Sequence, residues 1–95
     1  TLIPWSVLTA NTTAVSGGAY IANTTASAFT LTLPSSPADN DHILINDGMG
    51  QFRTNNLTIA GSGNNIAGLS QDLVCDVDYS SFRLTFKTAI GWILT

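Results

Sequence analysis

Six aspartates, one histidine and one cysteine are the side chains here best suited to metal, acid–base or nucleophilic chemistry, and glutamate is absent. Asp39, Asp41 and His42 crowd one short stretch, with Asp47 close behind. A calcium loop needs alternating oxygen ligands, a glycine at its sixth position and an acid at its twelfth. Counted from Asp39, those places hold Leu44 and Gly50. The cluster therefore reads as turn-forming aspartates, and no metal is expected. His42 has no serine at a spacing that singles it out as a nucleophile. Cys75 alternates with Leu73 and Val77, which makes it a small core residue. A carboxylate-pair glycosidase would need a substrate cleft as well as a core, and 95 residues leave little room for both. The expectation is a protein that is not an enzyme. No cofactor is expected either, because Gly61-Ser62-Gly63 opens like a dinucleotide fingerprint but continues to Ile66 with no helix to follow. Asn11, Asn23 and Asn56 each begin a glycosylation-type triplet, which an Asn- and Thr-rich chain produces by chance. Trp5, Tyr20, Tyr79 and Trp92 would make a sugar-stacking platform if exposed; the preferred reading puts Trp5 and Trp92 in the core or a subunit contact.

Composition narrows the class further. Hydrophobic residues make up 44% of the chain, but charged residues only 9%, against about 25% in ordinary proteins. So few charges leave a monomer poorly protected against association, and much of the surface is expected to be covered by neighbouring subunits. The net charge of −3 and the scattered basic residues exclude the basic stripe that nucleic acid requires. No apolar run is long enough to cross a bilayer, and no basic segment followed by an apolar one marks a secretory signal. A start at Thr1 fits either removal of such a signal or simple loss of an initiator Met. With one cysteine, no intrachain disulfide can form.

The elements that must carry these residues are short strands, in one domain over residues 1–95. Phe82, Leu84 and Phe86 alternate with Arg83, Thr85 and Lys87, which gives one apolar and one wet face, spaced as in a blunted or solvated strand. The same alternation runs through Phe29–Leu33, and His42–Ile45 and Asn56–Ala60 read as further short strands. Ile3, Trp5 and Val7 share one parity around Pro4, so residues 1–8 read as an edge strand or a docking arm. Ala10-Asn11-Thr12-Thr13-Ala14 recurs as Ala22-Asn23-Thr24-Thr25-Ala26; this is read as two Asn-initiated turns around the strand Ala19–Ala22. Asp47-Gly48 reads as a hairpin-turn signal. The fold class expected is all-β: a compact antiparallel β-sandwich or barrel-like roll of about seven to nine short strands.

Several of these runs, in this order, resemble bacteriophage tail-fibre and tail-appendage modules. They are Leu8 to Thr13, Tyr20 to Thr24, Ala28 to Pro34, the turn Pro37 to Asp41, Asn55 to Ile59, Asn65 to Gly68, Asp72-Leu73, and Leu84-Thr85-Phe86 leading onto Gly91-Trp92. The resemblance covers nearly the whole chain, and it implies a non-enzymatic virion protein that assembles as a homo-trimer. In tail fibres such a module is usually part of a longer chain. A free-standing protein of 95 residues is expected instead to be a capsid decoration or cement protein, found on the virion after assembly in the host cytoplasm. Its partner would be the major capsid protein or another virion protein. A tail-fibre or receptor-binding role is the alternative, and a carbohydrate-binding module for host-surface glycans a further one. Leu2, Ile3, Trp5, Trp92 and Ile93 are the candidate subunit or particle contacts.

Overall fold

The computed structural model describes residues 3–95, so Leu2 lies outside the described residues. Nine strands follow one another: β1 (Ser6–Leu8), β2 (Thr12–Thr13), β3 (Ala19–Ala22), β4 (Phe29–Thr32), β5 (His42–Asn46), β6 (Leu57–Ala60), β7 (Leu73–Cys75), β8 (Ser81–Lys87) and β9 (Gly91–Leu94). They form a five-stranded sheet in the order β1-β3-β5-β8-β9 and a four-stranded sheet in the order β2-β4-β6-β7. The chain is all-β among the described residues, with a strand count inside the expected range.

The expected antiparallel arrangement is corrected: both sheets are mixed. From β1 to β6 the chain alternates between the sheets, so each strand pairs with the next but one. β1, β3 and β5 therefore run parallel, as do β2, β4 and β6. A parallel pair needs a crossover, commonly a helix; here a strand of the opposite sheet serves as the crossover. Only β6–β7, β5–β8 and β8–β9 are antiparallel. Alternation of apolar and polar residues reports which face of a strand is buried, but it is the same whichever way the neighbouring strand runs.

Facing is where the sequence reading holds. Phe29 and Leu31 of β4, Ile43 and Ile45 of β5, Leu57 and Ile59 of β6, and Leu84 and Phe86 of β8 are buried in one cluster fed by both sheets. Each such side chain stabilises the fold by about 1.5–3 kcal/mol on burial. Thr30, Thr32, Thr58 and Thr85 take the opposite, half-buried positions. β8 lies inside its sheet, between β5 and β9, so Arg83 and Lys87 do not guard an open edge. They bind across the wet face instead. Arg83 Nε donates to Thr95 Oγ1 at 2.9 Å, and Lys87 Nζ reaches Asp39 Oδ2 at 3.1 Å and Asn40 Oδ1 at 2.9 Å. Phe86 meets Trp92 edge-on, with ring centroids 5.4 Å apart.

The repeated pentapeptide does not repeat in structure. In the first copy Thr12 and Thr13 form β2, and Asn11 Oδ1 accepts Thr30 N at 2.8 Å. In the second copy Asn23 Oδ1 accepts Thr25 N at 3.1 Å, which is the expected Asn-initiated turn.

Candidate functional site

Two surfaces stand out, and the first is the amino-terminal arm. Ile3, Trp5 and Val7 are 52%, 39% and 63% exposed, so the predicted parity carries its apolar groups outward rather than into a core. Pro4 and Trp5 precede the ladder, which starts only at Ser6. β1 pairs with β3 on one side and forms the outer edge of its sheet. Among the described residues, no backbone hydrogen bond covers its other side. An uncovered edge with apolar neighbours is a template for association.

The far edge of the same sheet is different. Trp92 is fully buried, so it is a core residue and offers no surface to a partner. Ile93 is half-buried and lies opposite Thr85. The outer side of β9 is already occupied: Trp92 N donates to Asn65 O at 2.8 Å, and Ala67 N donates to Trp92 O at 2.9 Å. Gly91 makes this possible. Its φ is +98°, and a Cβ there would lie 2.6 Å from Asn65 O. The candidate contacts at Ile3 and Trp5 and those at Trp92 and Ile93 thus belong to opposite edges of one sheet, with three strands between them, and do not form a single patch.

The second surface surrounds the segment from Asp76 to Tyr79. The alternation through Leu73 and Cys75 stops at Cys75, and Val77 is 64% exposed rather than on the buried face. Cys75 itself is buried, and desolvation, helped by the neighbouring negative charge of Asp76, pushes its thiol up to about 12. A shallow depression is lined by Arg53, Asn56, Asp76, Val77 and Asp78. Asp78 Oδ1 accepts Arg53 N at 2.8 Å and ties its two walls together.

Asp47 positions this region, and the sequence reading missed it. It is fully buried, and its carboxylate accepts three backbone amides: Gln51 N on Oδ1 at 3.2 Å, and Phe52 N and Tyr79 N on Oδ2 at 3.1 and 2.9 Å. A buried carboxylate is tolerable when charge-assisted hydrogen bonds satisfy it. It joins the loop after β5 to the loop before β8. In sequence an Asp-Gly pair shows only a turn, because the third donor comes from a residue far along the chain.

The remaining residues weighed for chemistry have structural tasks. Asp41 Oδ2 accepts Ala38 N at 2.8 Å and Ser16 Oγ at 2.9 Å. Asp39 accepts Thr88 N at 3.0 Å on Oδ1 and Lys87 on Oδ2. The Thr88 amide first, and then the Lys87 ammonium, hold its carboxyl below the usual aspartate value. His42 is exposed at the start of β5. Among the described residues, no three His, Cys, Asp or Glu side chains are grouped as a metal ion needs. Of the four candidate sugar-stacking aromatics, Tyr20 and Trp92 are buried, and the Tyr20 hydroxyl accepts Val15 N at 2.9 Å. Trp5 and Tyr79 are exposed. No protein-family model and no curated protein matches the chain.

Proposed function

We propose that this chain is a non-enzymatic structural protein of a tailed-phage particle, which self-associates with three-fold symmetry and docks on the capsid as a decoration or cement protein. In this reading the two sheets act as a roll-like sandwich module, and the amino-terminal arm is its attachment device. The observation that carries the docking role is the exposed row Ile3, Trp5 and Val7 beside the uncovered edge of β1. Each of these side chains is already partly covered, so completing its burial is worth on the order of 1 kcal/mol. Summed over many copies on a lattice, that is a substantial stabilisation. The scarcity of charge supports self-association. Assignment to a phage rests on the resemblance of the ordered motifs described above.

A tail-fibre or receptor-binding appendage is the second reading. β1 and β2 are each an edge strand of their own sheet, and a neighbouring module could continue either ladder.

Deleting residues 1–5 tests the docking role, because it leaves the whole of β1 in place. Sedimentation with purified particles should show binding lost while the thermal midpoint of the isolated domain stays unchanged; undiminished binding refutes the assignment. Copy number separates the two readings, with hundreds per particle for a capsid protein and a handful of trimers for a tail appendage.

A further inference from the structure

Of the four sheet edges, β9 is covered by the Asn65–Ala67 loop, and β1 is the edge assigned above to docking. The other two, β2 and β7, are opposite edges of the four-stranded sheet. Among the described residues, no backbone hydrogen bond covers the outer side of either. Exposed apolar side chains accompany both: Val15 follows β2, Val74 lies in β7 and Val77 follows it. Unpaired edges of this kind are templates for another strand, and their charges decide which strand fits.

Charge is unevenly placed along the chain. The first charged side chain is Asp39, so β1 to β4 carry none. Half of the six aspartates, Asp72, Asp76 and Asp78, lie just before or after β7. Arg53 shares a hollow with Asp76 and Asp78 and offsets one of them, which leaves this edge acidic. Two β7 edges brought together would set like charges against each other. An uncharged β2 edge meets no such repulsion. Strand direction agrees as well. β2, β4 and β6 are parallel and β7 opposes them. Rotation about an axis along the strands therefore lays β2 of one copy antiparallel to β7 of the next, the more stable pairing. The outer face over β2, β4 and β6 is free of charge too. Thr13 is level with Thr32 and Ala60, and Thr30 with Thr58 and Val74. Depletion of charge is what distinguishes the centre of an interface.

We propose that copies of this chain associate by pairing the β2 edge of one with the β7 edge of the next, so that their four-stranded sheets join around a three-fold axis. The contact is heterologous, and repeated round a closed ring it leaves neither edge open. The arm stays free for docking. The inference rests on the self-association proposed above and names the surface that performs it.

Sedimentation equilibrium of the wild type should show trimers. Thr13 is exposed, at the edge opposite to β7 within its own copy, so a charge placed there meets the aspartates only across a subunit contact. Thr13→Asp should weaken association about tenfold or more at low salt and recover at high salt. Thr13→Lys should keep the trimer, and the circular dichroism spectra of all three proteins should coincide. Crosslinking identifies the two edges. In a Cys75→Ala background, Thr13→Cys together with Val74→Cys should be joined into covalent trimers by a short bismaleimide, while either substitution alone should leave single chains. Solitary wild-type chains overturn the self-association reading and this inference together. Trimers that ignore the sign of the charge at Thr13, that the bismaleimide does not join, or that crosslink through Val74→Cys alone overturn this inference and leave self-association standing.

Discussion

Replacing Asp47 by alanine removes one carboxylate and strands three amides at once. The amide of Phe52 is buried, whereas those of Gln51 and Tyr79 are partly buried. A hydrogen bond to a charged group contributes about 1.5–3 kcal/mol, and an unsatisfied buried donor costs a similar amount. Counting the buried amide in full and the other two at about half gives a loss of about 3–6 kcal/mol. A domain of this size has a total stability of about 5–14 kcal/mol. At about 4–8 °C per kcal/mol, the thermal midpoint should fall by about 12–48 °C. Asp47→Asn separates charge and geometry. With its oxygen in the Oδ2 place it still accepts Phe52 and Tyr79, and it turns an NH2 group towards Gln51 N. The cost should then be about 1–2 kcal/mol. Urea titration followed by circular dichroism gives both values, and amide spectra should show the largest changes at Gln51, Phe52 and Tyr79. A loss below about 1 kcal/mol for alanine, or equal losses for the two variants, would refute the idea that this carboxylate joins the two loops.

Two further outcomes follow from the core and from the β9 edge. The Cys75 thiol, raised to about 12 from an ordinary 9.0, should resist iodoacetamide at pH 8 in the native protein and react once urea unfolds it. Because the folded value is the higher one, its contribution is full below pH 9 and is lost between pH 9 and 12. By pH 10 the unfolded state should gain about 1 kcal/mol from it, measurable by urea titration of wild type against Cys75→Ala. Gly91→Ala should cost about 2–3 kcal/mol, since it adds a clash with Asn65 O to the strain of a positive φ. Gly63→Ala, also at positive φ but with nothing within 4 Å of its Cβ, should cost only the strain, about 1 kcal/mol. Equal thermal shifts for the two would count against the clash.

What could be read in advance was the facing of strands. Phe29, Leu31, Leu33, Leu84 and Phe86 all lie in the core, as their alternation predicts, and Phe82 is partly buried against it. Strand direction was not legible, since parity carries no sign. The structure also shows why the repeated pentapeptide misleads. Its copies are twelve residues apart, whereas ladder partners are fourteen apart at Ser6 and Tyr20, nineteen at Thr12 and Leu31, and twenty-eight at Phe29 and Leu57. Neither the burial of Trp92 nor the triple amide grip of Asp47 had a local signature. Both depend on segments that meet only in three dimensions: Trp92 on the Asn65–Ala67 loop, and Asp47 on Tyr79.

The alternation of β1 to β6 between two sheets has a kinetic side. None of β1 to β5 can zip against its immediate successor, so their early pairing must close a loop that contains at least one entire strand of the other sheet. Only the tight Thr88–Ile90 turn, between β8 and β9, offers a cheap local start. Non-local closure slows folding and leaves apolar segments unpaired for longer. During synthesis the larger sheet must therefore wait for the last third of the chain, which supplies β8 and β9, and the core-facing Ile43 and Ile45 of β5 lack their β8 neighbours until then.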